Sequence, residues 1–454
     1  MNNKKYQSLS ELVWVILLLE GFISVSLQIV FMRQLSPFLG SDVNVTGLII
    51  GVFLLALSLG YRSGVNKKKP AAVLTKNFIL SGLWVAVGCA YLTINTFFGE
   101  VVYLSPKIGL SVFYLFVFMF PVVFWLAQTL PLLITFIRKG SSSAKAGNSL
   151  SLNTIGSVLG ATITPLVLFW AFGVAWTILL MVVGLMVLSL FAYKMDKGVW
   201  LSADHLIGVL IIALAFFFNI DHERQNFIKT TAYANYDVKV DSDAYGNERR
   251  VLELNKTFAS ITTDGQATGY VRYLNRYMIE QLGYTDHDVL VLGSGGFTFS
   301  INDETKNSYT YLDIDPDIKP IAEKFFLGYN IKGNFVGKDA RAYVKTSEDL
   351  YDVVFVDLYS NLLSMPWQVT TVEFMEELND RVSVGGHVFF NMVYQSDFKH
   401  DVNRRIHNTI TSVFPYCYIT PLFSGKQDYM NVVYVCSKPD KEALEINVDD
   451  RVLY

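Results

Sequence analysis

The sequence predicts an α-helical transmembrane bundle of about seven spans followed by a soluble α/β domain of the nucleotide-binding type. Three observations carry this reading. Apolar runs of about 20 residues, the length needed to cross a ~30 Å hydrocarbon core, recur up to residue 220 and then stop. Between 231 and 263 apolar and polar residues alternate with period two around a turn at 243–247, which reads as a β-hairpin subdomain. Beyond 266, short apolar strands alternate with helical stretches, the pattern of a doubly wound, mainly parallel sheet. The domain limits are therefore 1–222 for the bundle, 223–265 for the hairpin subdomain and 266–454 for the nucleoside-binding domain. A chain of 454 residues that is 52% hydrophobic and 17% charged, with a mean hydropathy of +0.35, is too apolar to be a pair of ordinary soluble domains.

The seven apolar runs are 12–32, 43–61, 76–97, 109–136, 148–171, 173–193 and 200–220. The first follows Lys4 and Lys5 and lacks a small-residue cleavage site, so it reads as a retained span rather than a signal peptide. Small residues recur on one helical face around Gly147, Ser151, Gly156 and Gly160, including a Gly-x-x-x-Gly pair that lets helices approach closely. Asn153 lies among them and reads as a helix–helix hydrogen bond in preference to a substrate ligand. Pro121, Pro131 and Pro165 mark expected kinks, and the run from Gln128 to Pro131 is the best candidate for a helix break.

Basic residues set the expected orientation. Lys4, Lys5, Arg62, Lys67, Lys68, Lys69, Lys76, Arg138, Lys139, Lys145, Lys194 and Lys197 fall on one side, against Arg33, Lys107, Arg224 and Lys229 on the other. The positive-inside rule makes the first side cytoplasmic, the amino terminus included, and the protein a multi-pass protein of the cell (inner) membrane. Seven crossings would put the soluble domain outside, whereas adenosyl compounds are made inside, so its side stays open. A net charge of −3 without a long basic run speaks against nucleic acid as a partner. The lipid bilayer is a partner by composition, and assembly as a homo-oligomer is left open. Cys89 falls in a span; Cys417 and Cys436 lie in two β-like runs that could pair, read as two buried thiols with a disulfide as the alternative.

In the soluble half, strands are expected at 288–292, 309–313, 333–336, 352–357 and 386–391, with helices near 267–282, 317–327, 338–346 and 370–382. Val289 to Leu292 run into Gly293, Ser294, Gly295 and Gly296, and the next strand ends at Asp313. A glycine-rich turn lets backbone approach a ligand, and a carboxylate about 20 residues on can bind two ribose hydroxyls. A tight turn and an ordinary strand-end aspartate would leave the same trace. Asp339 and Ala340 follow the third strand, where such folds meet an adenine amino group. Asp357 ends the fourth strand at the carboxyl edge of the sheet, where it is either a solvated loop residue or a group that accepts a proton from an attacking amine.

In this order the residues resemble the spermidine synthase family of aminopropyltransferases, in the membrane-fused kind where a half-transporter-like bundle precedes the synthase-like domain. The resemblance rests in the bundle on Thr129 to Leu133 and Asn153 to Gly160. In the soluble half it rests on Leu252 to Asn255, Tyr270, 293–298, Leu312 to Pro316, Asp339-Ala340, Tyr351-Asp352, Asp357, Pro366 to Phe374 and Gly385-Gly386. It implies a Rossmann-like methyltransferase/spermidine synthase fold. It also implies that Gly293 and Gly295 form the cofactor loop, Asp313 holds the ribose, Asp339 with Ala340 meets the adenine, Asp357 is the catalytic acid/base and Tyr270 positions the amine. The implied reaction is displacement by a small-molecule amine acceptor on decarboxylated S-adenosylmethionine, releasing methylthioadenosine. No metal is expected.

Two departures stand against the family pattern. The glycine loop there carries an aspartate where this chain has Gly296, and a second carboxylate three residues after the catalytic aspartate is replaced by Ser360. The acceptor is therefore not expected to be ordinary putrescine. Two other readings remain: a methyltransferase that uses S-adenosylmethionine on a membrane-associated acceptor, and a transporter or sensor whose synthase-like domain binds without turnover.

Overall fold

The computed structural model describes residues 2–39, 43–99, 107–137, 141–200, 205–359, 365–395, 401–422 and 429–438. The chain divides into two compact units, Met1–Ala234 and Asn235–Tyr454.

Among the described residues of the first unit six helical segments are long and apolar enough to cross a membrane: Glu11–Leu39, Val45–Gly64, Pro70–Gly88, Ile108–Ile134, Ser142–Lys197 and Leu206–Asn226. The expected seven differ in one place. Ser142–Lys197 is a single 56-residue segment covering the runs 148–171 and 173–193, interrupted where Gly173 takes φ +77°. The expected span 76–97 also shifts. Its helix begins at Pro70, whose missing N–H costs nothing in a first turn, and ends at Gly88; a separate short helix, Tyr91–Phe98, follows an extended Ala90. The prolines act through the hydrogen-bond ladder: a π-turn at Leu115–Met119 precedes the Pro121 helix, and Pro165 sits inside a second at Thr164–Leu168. The break expected at Gln128 is present, since Phe120–Ala127 ends there and Thr129–Ile134 begins.

The Asn2–Leu39 and Ser142–Ile163 helices pack backbone to backbone. A methyl group on Gly156 would lie 2.1 Å from Leu18 O, one on Gly160 2.3 Å from Phe22 O, and one on Gly21 2.1 Å from Asn153 O. Asn153 Nδ2 donates across this contact to Leu17 O at 3.0 Å and Glu20 Oε2 at 2.6 Å, a helix–helix hydrogen bond as expected. The buried face is Ser149, Asn153, Gly156 and Gly160; Gly147 and Ser151, read from sequence as part of it, are exposed. Spacing alone misplaced them because small residues occur on both sides of this helix.

The second unit carries two sheets. In the smaller, Asn235–Ser242, Glu248–Leu254, Thr257–Thr263 and Gln266–Ala267 pair antiparallel in order, extending the expected hairpin into a meander. The larger has seven strands in the spatial order Cys417–Leu422, Tyr429–Ser437, Val382–Gln395, Tyr351–Val356, Asp288–Leu292, Ser308–Asp313, Asn334–Gly337. The last five are mutually parallel, and all five expected strands are there. Val289 to Leu292, Val353 and Val354 are fully buried, as strands covered on both faces must be. The Val372–Asn379 helix starts from a Thr371 side chain that accepts from Phe374 N. From Asp288–Leu292 the chain moves outward through two strands and then returns to the opposite side at Tyr351–Val356. That reversal opens a crevice at the carboxyl ends of the two central strands.

The two remaining strands run antiparallel and put Cys417 opposite Cys436, where the pair is disulfide-bonded. The two-thiol expectation is thereby corrected: direct cross-strand partners bring their Cβ atoms within bonding reach, which spacing in sequence does not reveal.

The bundle contact is testable. Gly156→Val should lower stability in detergent by about 2 kcal/mol or more, whereas Gly147→Val, which meets nothing within 4 Å, should change it by about 0.5 kcal/mol or less. Thermal unfolding of the two variants side by side measures the difference.

Candidate active site

The crevice is built around Gly293. Its N–H donates to Leu312 O at 2.9 Å, and Asp357 N donates to Leu292 O at 2.9 Å, so the loop is tied to the strands on both sides. Gly293 has φ +91°, and a Cβ there would lie 2.1 Å from Asp357 O. Both the conformation and the space demand glycine. Gly295 has φ +48°. Gly296 N donates to Ser260 Oγ at 2.8 Å, and a Cβ on Gly296 would lie 2.4 Å from the Phe326 ring and 2.8 Å from Ser260 Cβ. The place where the family pattern has an aspartate is thus filled by an aromatic ring and a serine from other elements. After the loop the chain forms a short 3₁₀ turn, Thr298–Ser300, rather than a long helix.

Asp313 ends the neighbouring strand and faces the same loop. Its carboxylate accepts from Ser294 N at 3.2 Å and Asp315 N at 3.0 Å, while burial pushes its pKa up to about 6. Asp315 is occupied elsewhere, accepting from Tyr236 Oη at 2.8 Å and so tying the smaller sheet to the larger. Asp339 caps the Ala340–Thr346 helix by accepting from Ala342 N at 2.9 Å; Ala340 is buried beside it. Capping occupies one Asp339 oxygen, and Oδ2 makes no hydrogen bond among the described residues.

Asp357 emerges from the fourth strand into a polar cluster. Tyr270 Oη donates to Oδ2, and Asn391 Nδ2 donates to Oδ1 at 2.9 Å. Asn431 Nδ2 in turn donates to Asn391 Oδ1 at 2.7 Å, and Tyr359 Oη accepts from Val393 N at 2.7 Å nearby. Burial raises the Asp357 carboxyl above the usual carboxylate range against the opposing effect of Tyr270 and Asn391, and burial beside Asp357 pushes the Tyr270 phenol far up. The sequence named Tyr270 and Asp357 separately, Tyr270 for positioning the amine and Asp357 as acid/base, without bringing them into contact, and it missed Asn391, Asn431 and Tyr359. An asparagine inside an otherwise apolar strand run was the available signal for Asn391; the others lie on elements brought close only by sheet order. Ser360 lies outside the described residues. Among the described residues no three His, Cys, Asp or Glu side chains converge as metal ligands would.

The glycine loop, Asp313 and the buried strand-end acid Asp357 thus stand together at the carboxyl edge of the sheet. The chain is 27% identical over 173 residues to a probable polyamine aminopropyl transferase of Bifidobacterium longum, covering 37% of this chain and 38% of that protein. It is 30% identical over 136 residues to a polyamine aminopropyltransferase of Sulfurisphaera tokodaii, covering 28% of this chain and 44% of that protein. The chain is similar to polyamine aminopropyltransferases. Six apolar helices precede its synthase-like region, and the chain spans about two fifths of the length of these curated relatives. A probable spermidine synthase from Corynebacterium glutamicum is a structural neighbour, with 20% identity, a TM-score of 0.37 and coverage of 44% of this chain and 77% of that one. No family model matches the sequence.

Asp313 makes a pH-dependent prediction. Because its folded-state pKa of about 6 lies above the unfolded value, the fold retains a proton that the unfolded chain has released. Its contribution to stability is fully present below the unfolded value and is lost as pH rises toward about 6. If Asp313 holds a ribose, the contact would need the ionised form, and affinity for methylthioadenosine should then fall about tenfold per pH unit below that point. Asp313→Asn should flatten the stability profile, and Asp313→Ala should weaken the nucleoside by ~2 kcal/mol or more, both read by calorimetry.

Proposed function

We propose that the protein is a membrane-bound aminopropyltransferase-like enzyme that moves an aminopropyl group from decarboxylated S-adenosylmethionine to an amine acceptor. The observation behind this reading is the Asp357 cluster: a buried, strand-end carboxyl held from both sides by Tyr270 and Asn391. In the reaction an amine nitrogen forms a bond to the methylene next to the sulfonium. The carbon–sulfur bond breaks with its electron pair passing to sulfur, and methylthioadenosine leaves. The proton lost by the attacking nitrogen goes to Asp357, whose raised pKa makes it a better base than an exposed aspartate. Tyr270 and Asn391 fix the carboxylate's orientation. Gly293 and Gly295 would let the nucleoside approach the backbone, Asp313 would accept the ribose hydroxyls, and Asp339 with Ala340 would meet the adenine. The resemblance to aminopropyltransferases supports the same chemistry. The acceptor differs from a plain diamine, since Ser360 replaces a second carboxylate.

The bundle belongs in the cell membrane with its amino terminus cytoplasmic. A 56-residue apolar helical segment would be about 84 Å long, roughly three hydrocarbon thicknesses, so the Gly173 interruption supports two crossings within it. Reporter fusions after Lys197 should then read as cytoplasmic, and a signal from the far side would overturn this orientation.

A second reading, a sensor or transporter with a non-catalytic synthase-like domain, draws on two observations. Phe326 and Ser260 occupy the space of the lost carboxylate at Gly296, and the Cys417–Cys436 bond is suited to an oxidising compartment. Incubation with decarboxylated and ordinary S-adenosylmethionine and a panel of amines separates the alternatives. Methylthioadenosine in the mass spectrum means aminopropyl transfer, S-adenosylhomocysteine means methyl transfer, and binding without either product means a sensor.

For the enzyme, Asp357→Asn should lower turnover by about 10²-fold or more while leaving nucleoside affinity within a few-fold. Ser360→Asp should improve use of a diamine in the same assay.

A further inference from the structure

Within the bundle one carboxyl is left unexplained by any nucleoside chemistry. Glu20 is 4% exposed and lies in the first half of the apolar Glu11–Leu39 segment. Among the described residues no Lys, Arg or His pairs with it; its partner is Asn153 Nδ2 at 2.6 Å, and Tyr61 is its titratable neighbour from the Val43–Gly64 helix. The Ser142–Ile163 helix brings no charged group to it. It brings Asn153 and, one turn earlier on the same buried face, Ser149, whose hydroxyl is fully buried and has no hydrogen-bond partner. A carboxylate in hydrocarbon surroundings is costly without a counter-charge, and carboxyls kept there in spite of that cost mark proton or ion pathways. The site also lies where Gly21 and Gly156 bring two helix backbones into contact, so a change of charge on Glu20 acts at the tightest helix–helix seam described.

We propose that Glu20, together with Asn153, forms an intramembrane proton-exchange site. The Glu20 oxygen takes up a proton to become a neutral acid and releases it to become a carboxylate held by the Asn153 amide. Protonation thereby couples to the packing of the two helices, a property of the bundle that does not depend on the transferase reading.

The test uses the full chain in detergent without any nucleoside. Dicyclohexylcarbodiimide adds to protonated carboxyl groups in apolar surroundings, and labelled positions are read by peptide mass spectrometry between about pH 5 and about pH 9. Glu20 should be labelled, with the label declining about fivefold or more as pH rises across this range. Asn153→Leu should raise Glu20 labelling at the alkaline end of the range by about twofold or more, because the donor to the carboxylate is gone. An infrared carbonyl band of a protonated acid, absent from Glu20→Gln, should fade over the same range. No label on Glu20 at any pH, or a label and band that stay constant across the range, would overturn the proposal. The wild-type profile decides even where the Gln variant does not fold.

Discussion

The crevice depends on the contact between two backbones at the centre of the large sheet. Leu292 and Val356 are register partners on adjacent parallel strands, and the next residue of each strand closes over the other: Asp357 N bonds Leu292 O while Gly293 lies against Asp357 O. No side chain fits between them. Because the loop is pinned there, Asp313 on one neighbouring strand and Asp357 on the other face it from opposite sides. Every candidate role at the site is set by that spacing, and the reversal of strand order leaves the crevice free of a crossover helix.

The two acids differ in how their burial is offset. Asp313 accepts two backbone N–H groups, the kind of fixed dipole that suits a carboxylate awaiting hydroxyl donors. Asp357 is held by side chains, Tyr270 on one oxygen and the Asn391–Asn431 chain on the other, and this arrangement can follow a change of protonation at the reacting oxygen. The same physical logic recurs in the bundle, where the Asn153 amide is the partner that makes a buried Glu20 tolerable. In each case a neutral amide, rather than a cation, orients the acid and leaves its charge free to change.

At Gly296 the surroundings leave no room for a side chain. Phe326, reaching in from the Ala322–Leu327 turn, and Ser260, from the smaller sheet, take the volume that a side chain on the loop would need. A glycine is then required by packing, and an aspartate there would push against an aromatic ring and a strand. The wall beside the loop is therefore apolar and hydroxylic.

Much of this was determined by the sequence by itself. Apolar run length and the switch to period two located the bundle and the strands, because burial in lipid or between helices dictates which residues a strand or span can carry; all five parallel strands followed from that local rule, and the break at Gln128 from the proline that follows it. The glycine loop, Asp313 and Asp357 were legible because a sheet edge and a tight turn impose their own residue types. Other features needed the tertiary structure. Strand order brought Asn391 and Asn431 to Asp357 and paired Cys417 with Cys436, and neither neighbour is implied by sequence distance. Helix rotation decided that Ser149, not Gly147 or Ser151, lies on the buried face with Asn153. Helix packing turned Glu20, one acid in a long apolar run, into a partner of Asn153, because which face of a helix meets which neighbour is fixed by contacts between elements distant in the chain.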